Sequence, residues 1–431
     1  MQKMQYNGST MLKPNEVEIM APAGSFESLA AAIQGGCDSV YFGVTQLNMR
    51  ARAADNLTLA DLAKVAQICH TKKVKAYLAV NTLLYDHDTV IMKKLVDAAK
   101  ENGIDAIIAF DFATIQYCNE IDIPVHISVQ FSVSNYESLK FFATMTNRVV
   151  LARELTLDQI RAIYERIEKE QLLGREGRLM EIEAFVHGAL CVAQSGRCFM
   201  SVYTDNASAN RGACRQNCRR AYKITDVETG KELVIDNHYV MSAADICMID
   251  RADELLKAGI RVWKIEGRGR APEYVSTVTR VYKQALRDIE NGTYTEEAVK
   301  KYYENLKTVY HRGLSHGNYY LGREMEAYSD AHGSKATKEK IFVGTVKKYF
   351  AKAKVAEMIV DAGILSVNDE IRIIGATTGV YTGIVSELRA ADGSPLKNGK
   401  KDEVITFPVT ERVRVNDKVY VWKDRQTISN S

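Results

Sequence analysis

The chain has 431 residues, 46% apolar and 26% charged, and its 57 lysines and arginines against 54 carboxylates leave a net charge of +3. Such a length holds two or three domains with cores of their own, and the composition is that of an ordinary soluble globular protein. The charge is too small to imply nucleic-acid binding by itself, so an RNA role must rest on local patches, and the longest apolar runs, such as residues 106–110, fall far short of a membrane span.

Residues 1–16 lack the apolar stretch of a signal peptide and are expected to be a disordered tail, which points to a cytoplasmic protein. After them, short runs rich in Val and Ile alternate with amphipathic helical segments, the mark of β/α units around a parallel sheet. The runs at 17–20, 39–42, 74–80, 106–110, 125–129, 148–151, 182–186 and 262–265 predict strands, with helices between them at 25–36, 59–71, 88–102 and 156–170 among others. Eight units predict an α/β fold of the TIM type over 17–292, with an insertion at about 187–260 between the seventh and eighth strands. A doubly wound sheet would need a Gly-rich phosphate loop after its first strand, and Ala21-Pro22-Ala23-Gly24 is not one. Asn81, Asp111, Gln130, Arg153, Glu154, His187, Glu266 and Arg268 each follow a predicted strand, which puts them at the C-terminal mouth where barrel enzymes keep their active sites.

The insertion carries Cys191-x6-Cys198-x15-Cys214-x3-Cys218, four of the eight cysteines of the chain. A disulfide pair suits an oxidising compartment, and all-cysteine zinc suits two tight knuckles. An iron–sulfur cluster needs four converging thiolates without paired knuckles, so loose loops can supply it, and this reading leads. Arg197, Arg211, Arg215, Arg219 and Arg220 crowd these positions, and cations offset the charge of thiolates and sulfides.

A helix from 272 to about 292 closes the barrel, and a Tyr-rich helical link over 293–338 follows. Beyond it, runs at 342–349, 354–359, 370–374, 381–388, 404–408 and 418–422, broken by Gly and Asn-Asp turns, predict a small antiparallel β-barrel over 339–427. Such barrels often bind RNA, though fold alone does not establish it.

Among single residues, His187 and Glu266 are the candidate catalytic groups. The run Lys264-Ile265-Glu266-Gly267-Arg268-Gly269-Arg270 has an anion-binding look, because Arg recognises carboxylate or phosphate through a planar fork. Its alternative is a Glu266–Arg268 pair bracing the mouth. No H-E-x-x-H, no G-x-S-x-G and no phosphate loop is present, so hydrolytic and nucleotide-driven chemistry lose their usual signals.

Several stretches together resemble the collagenase-like peptidase family U32: Ala21-Pro22-Ala23-Gly24, Arg50-x-Arg52, Val80-Asn81, His126-x-Ser128-Val129-Gln130, Arg153-Glu154-Leu155, His187-Gly188-Ala189-Leu190-Cys191, Ser195-Gly196-Arg197-Cys198, Cys214-x3-Cys218-Arg219 and Lys264-Ile265-Glu266-Gly267-Arg268. The resemblance implies a 4Fe-4S cluster on Cys191, Cys198, Cys214 and Cys218, and an RNA or quinone hydroxylation role in place of the peptidase label. The added C-terminal domain is similar to the branch that hydroxylates the tRNA wobble uridine, with prephenate as oxygen donor. Ser208-Ala209-Asn210-Arg211-Gly212 and Cys214-x-Gln216-x-Cys218 also resemble the branch that hydroxylates a ribosomal RNA cytidine, and the collagenase-labelled proteins. The expected substrate site is a small di-carboxylate pocket made by Arg268 with Arg50, Arg153 and His187, and Asn81, Gln130 and Arg197 complete it. RNA would be gripped at 211–223 and by Lys347, Lys348, Lys352, Lys354, Lys397, Lys400 and Lys401. The alternative from another class is a peptidase built on His187 and mouth serines.

Overall fold

A computed structural model describes residues 12–51, 57–223, 225–231, 241–320, 328–330 and 333–425. The eight predicted runs become the parallel strands β1 (Glu18–Pro22), β2 (Ser39–Phe42), β3 (Lys75–Val80), β4 (Ala106–Ala109), β5 (Val125–Ile127), β6 (Arg148–Val150), β7 (Glu181–Gly188) and, after the short β8 (Asp245–Cys247), β9 (Ile260–Ile265). Each pairs in parallel with its neighbour, and β9 pairs with both β7 and β1, so the ring is closed. Around it run α1 (Phe26–Gly35), α2 (Leu62–Thr71), α3 (Thr89–Glu101), α4 (Phe112–Glu120), α5 (Tyr136–Ala143) and α6 (Leu157–Glu170). The insertion adds α7 (Met200–Asp205), and α8 (Ala252–Lys257), α9 (Pro272–Glu290) and α10 (Glu296–Lys307) follow. Caps fix several of the loops at the mouth: the side chains of Ser25, Asp111, Asn135 and Thr156 each accept a backbone N–H from the first turn of the helix that follows.

Strand residues alternate in facing the barrel axis, and Met20, Tyr41, Tyr77, Ala106, Ile108 and Val262 form a buried cluster inside it. The N-terminal end below is plugged by charge. Arg148 donates to both carboxylate oxygens of Glu18, at 2.9 and 2.8 Å, and through Nε to Glu181 at 2.8 Å. Burial raises the Glu18 carboxyl, but Arg148 overrides it and holds the group well below the usual carboxylate range. Removing either partner would strand a buried charge, so this end is closed to substrate and chemistry belongs to the other.

Three expectations need correcting. Leu12 is already buried and Pro14–Glu16 form a 3-10 turn, so the disordered start expected over 1–16 gives way by residue 12; residues 1–11 and Arg52 lie outside the described residues. Strand β7 runs to Gly188, so His187 lies within a strand; it faces Cys247 of the antiparallel β8, which the sequence did not reveal. The link after α9 is only partly helical, since beyond α10 the strand β10 (Leu314–Ser315) pairs with β8 and extends the sheet.

The C-terminal domain is antiparallel, as the turn spacing predicts. Its strands are β11 (Lys338–Phe350), β12 (Val355–Val360), β13 (Ile364–Ser366), β14 (Glu370–Gly375), β15 (Gly379–Ile384), β16 (Leu388–Ala390), β17 (Pro395–Leu396), β18 (Asn398–Lys400), β19 (Val404–Pro408) and β20 (Lys418–Asp424). Eight of them form one sheet in the order β15-β14-β20-β11-β12-β19-β16-β17, with β13 and β18 as a separate ribbon. Val346, Met358, Leu365, Ile373, Phe407 and Val419 belong to its single core. The domain docks on α1 and α9: Gln34 donates to Thr378 O at 2.6 Å and accepts from Val380 N at 2.9 Å, Lys340 meets Glu273 at 3.0 Å, and Trp422 joins the core of the barrel. Among the described residues no helix is long and apolar enough to cross a membrane.

Candidate active site

A cavity of about 240 Å³ lies at the C-terminal mouth. Its floor is made by strand residues, among them Tyr41, Ala79, Ile108, Val150, Phe185 and Lys264. Asn81, Ser128, Gln130, Arg153, Glu266 and Arg268 make the rim, and the insertion roofs it with Cys191, Cys198, Met200, Cys214, Gln216 and Cys218. The barrel geometry thus brings together ten of the twelve predicted site residues. The exceptions are His187 and Arg197, which do not line the cavity.

Among the described residues Glu266 is the only carboxylate of the lining, which it shares with Arg50, Arg153, Arg219, Arg268, Arg270, Arg312 and Lys264. Its oxygens accept from Arg50 Nη2 at 3.0 Å and from Tyr41 Oη at 3.1 Å. Burial alone would raise its carboxyl, yet Arg50, Arg153 and Arg268 pull it down to about 2, so it stays ionised. Lys264 is committed to the buried Glu183 at 2.6 Å beneath it. Arg312 is likewise paired with Asp245, which leaves five arginines against the one carboxylate of the described lining, still an excess of cations. Two of them carry an unmet donor: the buried Nε of Arg153 and that of Arg268 have no acceptor among the described residues. Leaving such a group unpaired costs about 1–3 kcal/mol, which an anionic ligand would recover.

Sequence reasoning missed the residue that sets this geometry. Asn48 is fully buried, and its Oδ1 accepts from Arg268 Nη1 and from Arg50 N, both at 3.0 Å. Its Nδ2 donates to Val44 O and Gln46 O, which fixes the amide. A Cβ at Gly43 would stand 2.6 Å from Arg268 Nη1 and from Asn48 Cγ, so only glycine fits there. The signal was faint: a lone Asn in a loop two residues before a predicted Arg. Across the mouth, Asn81 donates to Gln130 Oε1 at 3.1 Å, and Gln130 returns a bond to Asn81 O at 2.7 Å, so these two hold each other's orientation.

The four insertion cysteines are free thiols on one cavity, and no disulfide joins them. Burial pushes the Cys218 thiol up, Arg219 opposes that, and the other three cysteines act on it as neighbouring charges. Among the described residues no three or more His, Cys, Asp or Glu are grouped closely enough to hold a metal ion as they stand. A cube spaces its thiolates around its corners, and thiols spread over one cavity suit that donor set.

The crowding arginines divide between tying the roof down and facing water. Arg211 bonds Leu83 O at 2.9 Å and pairs with Asp88, Arg219 bonds Ala243 O at 2.6 Å and also Leu190 O, and Arg312 reaches Asp245 at 3.4 Å. Arg197 is exposed and donates to Gln130 O at 3.1 Å, bracing the rim from outside. Arg215 and Arg220 are exposed.

His187 is buried behind the cavity between Tyr274 and Tyr282, its Nδ1 3.4 Å from Tyr282 Oη. Burial lowers the imidazole to about 3, so it is neutral. Of the lining serines, Ser128 donates to Gln130 Oε1 at 2.6 Å and Ser201 accepts from Arg215 N at 2.9 Å. Among the described residues no histidine lines the cavity, so none of them forms a hydroxyl–imidazole or thiol–imidazole pair there. Asp111 caps α4 and Glu154 is exposed, both away from the lining.

The lysines of the expected C-terminal patch are exposed but divided. Lys352 and Lys354 lie in the hairpin where β12 begins, whereas Lys400 and Lys401 lie beside the turn that meets its far end, where Val360 N bonds Glu403 O.

The sequence profile of peptidase family U32 matches residues 24–329, from just after β1 through the rest of the barrel and its insertion to beyond β10. Over 412 residues, 96% of this chain and 99% of the other, it is 48% identical to a protein of Porphyromonas gingivalis named collagenase. It is 27% identical to a tRNA hydroxylation protein of Bacillus subtilis, over 92% of each chain. It is also 34% identical, over 63% of its own length and 39% of the other, to a 23S rRNA 5-hydroxycytidine synthase of Escherichia coli.

Proposed function

The chain belongs to peptidase family U32, and from that premise we propose that it is an RNA-hydroxylating enzyme with an iron–sulfur cluster on Cys191, Cys198, Cys214 and Cys218. Its co-substrate is a small di-carboxylate such as prephenate, and its target base is the tRNA wobble uridine. The observation that carries the reading is one cavity shared by four free thiols and a surplus of arginines, two of them with unmet donors. Relatives named for tRNA and rRNA hydroxylation support the substrate class.

A bound cluster would supply one-electron chemistry next to the co-substrate. The residues themselves bind and orient. Arg268 and Arg153 offer fork donors for two carboxylates, Asn48 keeps Arg268 in place, and ionised Glu266 holds Arg50 at the edge so that the anion has one seat. Arg268 and Asn48 are buried, which strengthens their contacts.

Anaerobically purified protein is expected to be brown, with about four irons per chain as the cube stoichiometry requires. Cys198→Ser should lose the colour, whereas one tightly held zinc and no iron would overturn the cluster. Arg268→Lys should weaken prephenate binding about tenfold or more in calorimetry while iron content holds. Nucleoside mass spectrometry of a deletion strain then decides the base: loss of hydroxyuridine-derived wobble nucleosides supports tRNA, and loss of hydroxycytidine moves the protein to ribosomal RNA.

One observation favours a second reading, hydrolysis of peptide bonds: the relative at 48% identity is named collagenase. Against it weighs that among the described residues no histidine lines the cavity. Cleavage of denatured collagen that vanishes in His187→Ala would restore it.

A further inference from the structure

The outer face of the roof combines two features the cavity does not explain. Tyr203 is 85% exposed and Phe199 66% exposed, and their ring centroids are 6.3 Å apart. Phe199 is the N-cap of α7 and Tyr203 lies on it, while Met200 and Ser201 of α7 line the cavity, and Phe199 directly follows Cys198. Large rings left in water cost free energy, and a pair placed together marks a contact surface. The charge around them is lopsided: residues 189–223 hold six cations and one carboxylate, Asp205, a local +5 in a chain whose total is +3. Arg215, Arg220 and Lys223 of this stretch are exposed.

The rings do not stand alone on the rim. Tyr85 is 50% exposed after β3 with Arg211 stacked on it at 4.1 Å, and Phe112 is 53% exposed after β4 and packs on Phe131 at 5.1 Å. Exposed aromatic faces interleaved with arginines suit one ligand chemistry above others. Single-stranded nucleic acid offers unpaired base faces for stacking and phosphates for the cations, whereas a duplex hides its base faces.

We propose that Phe199 and Tyr203 form a stacking platform for the nucleotides on either side of the target base, so that the enzyme grips a single-stranded RNA segment through its roof. This rests on the RNA-modifying reading above and adds to it where the substrate is held. The base between the stacked neighbours is the one free to turn into the cavity.

The test uses the full chain and a fluorescein-labelled single-stranded RNA of about a dozen nucleotides, the scale of one such site, compared with its duplex by anisotropy. The wild type should prefer the single strand. Phe199→Ala/Tyr203→Ala should lose about tenfold or more in affinity for it, with the dependence on salt unchanged because no phosphate contact is removed. Tyr203→Phe should bind like the wild type. Both rings being exposed, the melting temperature of the double variant should hold, which separates lost contact from lost fold. Unchanged single-strand affinity in the double variant overturns the platform and leaves the RNA reading standing. A wild type that binds neither RNA form brings down both, and a double variant that loses binding only to a denatured-collagen peptide assigns the rings to a protein substrate and overturns the proposal.

Discussion

Asn48 governs two arginines with one carboxamide, and it is the residue whose replacement should be felt most widely for its size. Asn48→Ala removes the acceptor of Arg268 Nη1 and of Arg50 N in a site without water access to replace it. The expected cost is about 2 kcal/mol of stability, with di-carboxylate affinity reduced and iron content unchanged; chemical denaturation and calorimetry read these separately. A second residue-scale expectation concerns pH. Burial holds His187 at about 3, His311 at about 4 and His126 far below its ordinary value. The unfolded chain protonates these rings near pH 6.5, so below that value it binds more protons than the fold and stability falls as pH falls. Each ring contributes about 1.4 kcal/mol per pH unit over its window. Glu266 acts lower down: its depressed carboxyl gives stability that is whole above about 4.5 and lost as pH falls toward 2. His187→Asn should therefore flatten the unfolding free energy by about one proton between pH 6.5 and about 3, and leave the limb below pH 3 as it was.

Among the elements, the barrel strands were legible because each is a buried run with β-branched residues and a helix on either side. The elements that were not legible are those too short to show a period: β8 and β10 have three and two residues, and α8 has six. Missing β8 also misplaced His187, since the antiparallel pairing carries β7 on to Gly188 and turns the ring away from the cavity. The roof was legible as an insertion from its cysteines, but the fate of its arginines was not, because a guanidinium that ties backbone reads the same as one that binds substrate. Seating of the roof gives a test at this scale. Gly212 has φ +81 and a Cβ there would stand 2.3 Å from Asn48 O, a backbone atom that cannot step aside. Gly212→Ala should destabilise the protein by about 1–3 kcal/mol and cost it iron. Gly393, with φ +86 and open space around it, offers the control, since its Ala variant carries the strain without the clash.

At the scale of the whole molecule, the two domains share a tryptophan. The chain has two: Trp263 is wholly buried in the barrel, and Trp422 belongs to the C-terminal sheet yet packs into the barrel's core. In a Trp263→Phe background the emission of Trp422 reports docking alone. Gln34→Ala, which deletes the bonds to Thr378 O and Val380 N, should weaken docking by about 1 kcal/mol per bond and shift that emission to the red at lower denaturant. Trp422→Ala should cost about 3 kcal/mol or more, and an unchanged unfolding curve would contradict the shared core. The composition foretold a second domain but not this junction, which rests on single side chains separated by hundreds of positions.

The pairing of β10 with β8 has a consequence for birth as well as for shape. Arg312 and strand β10 lie far downstream of the four cysteines, and they supply the partner of Asp245 and the neighbour of β8 that anchor the roof's return to the barrel. On the ribosome all four thiols therefore emerge, and wait, before the chain that steadies them has been made. Whatever those thiols bind would meet an open roof on the nascent protein and a seated one on the released protein, so a stall after α9 marks the stage of freest access to them.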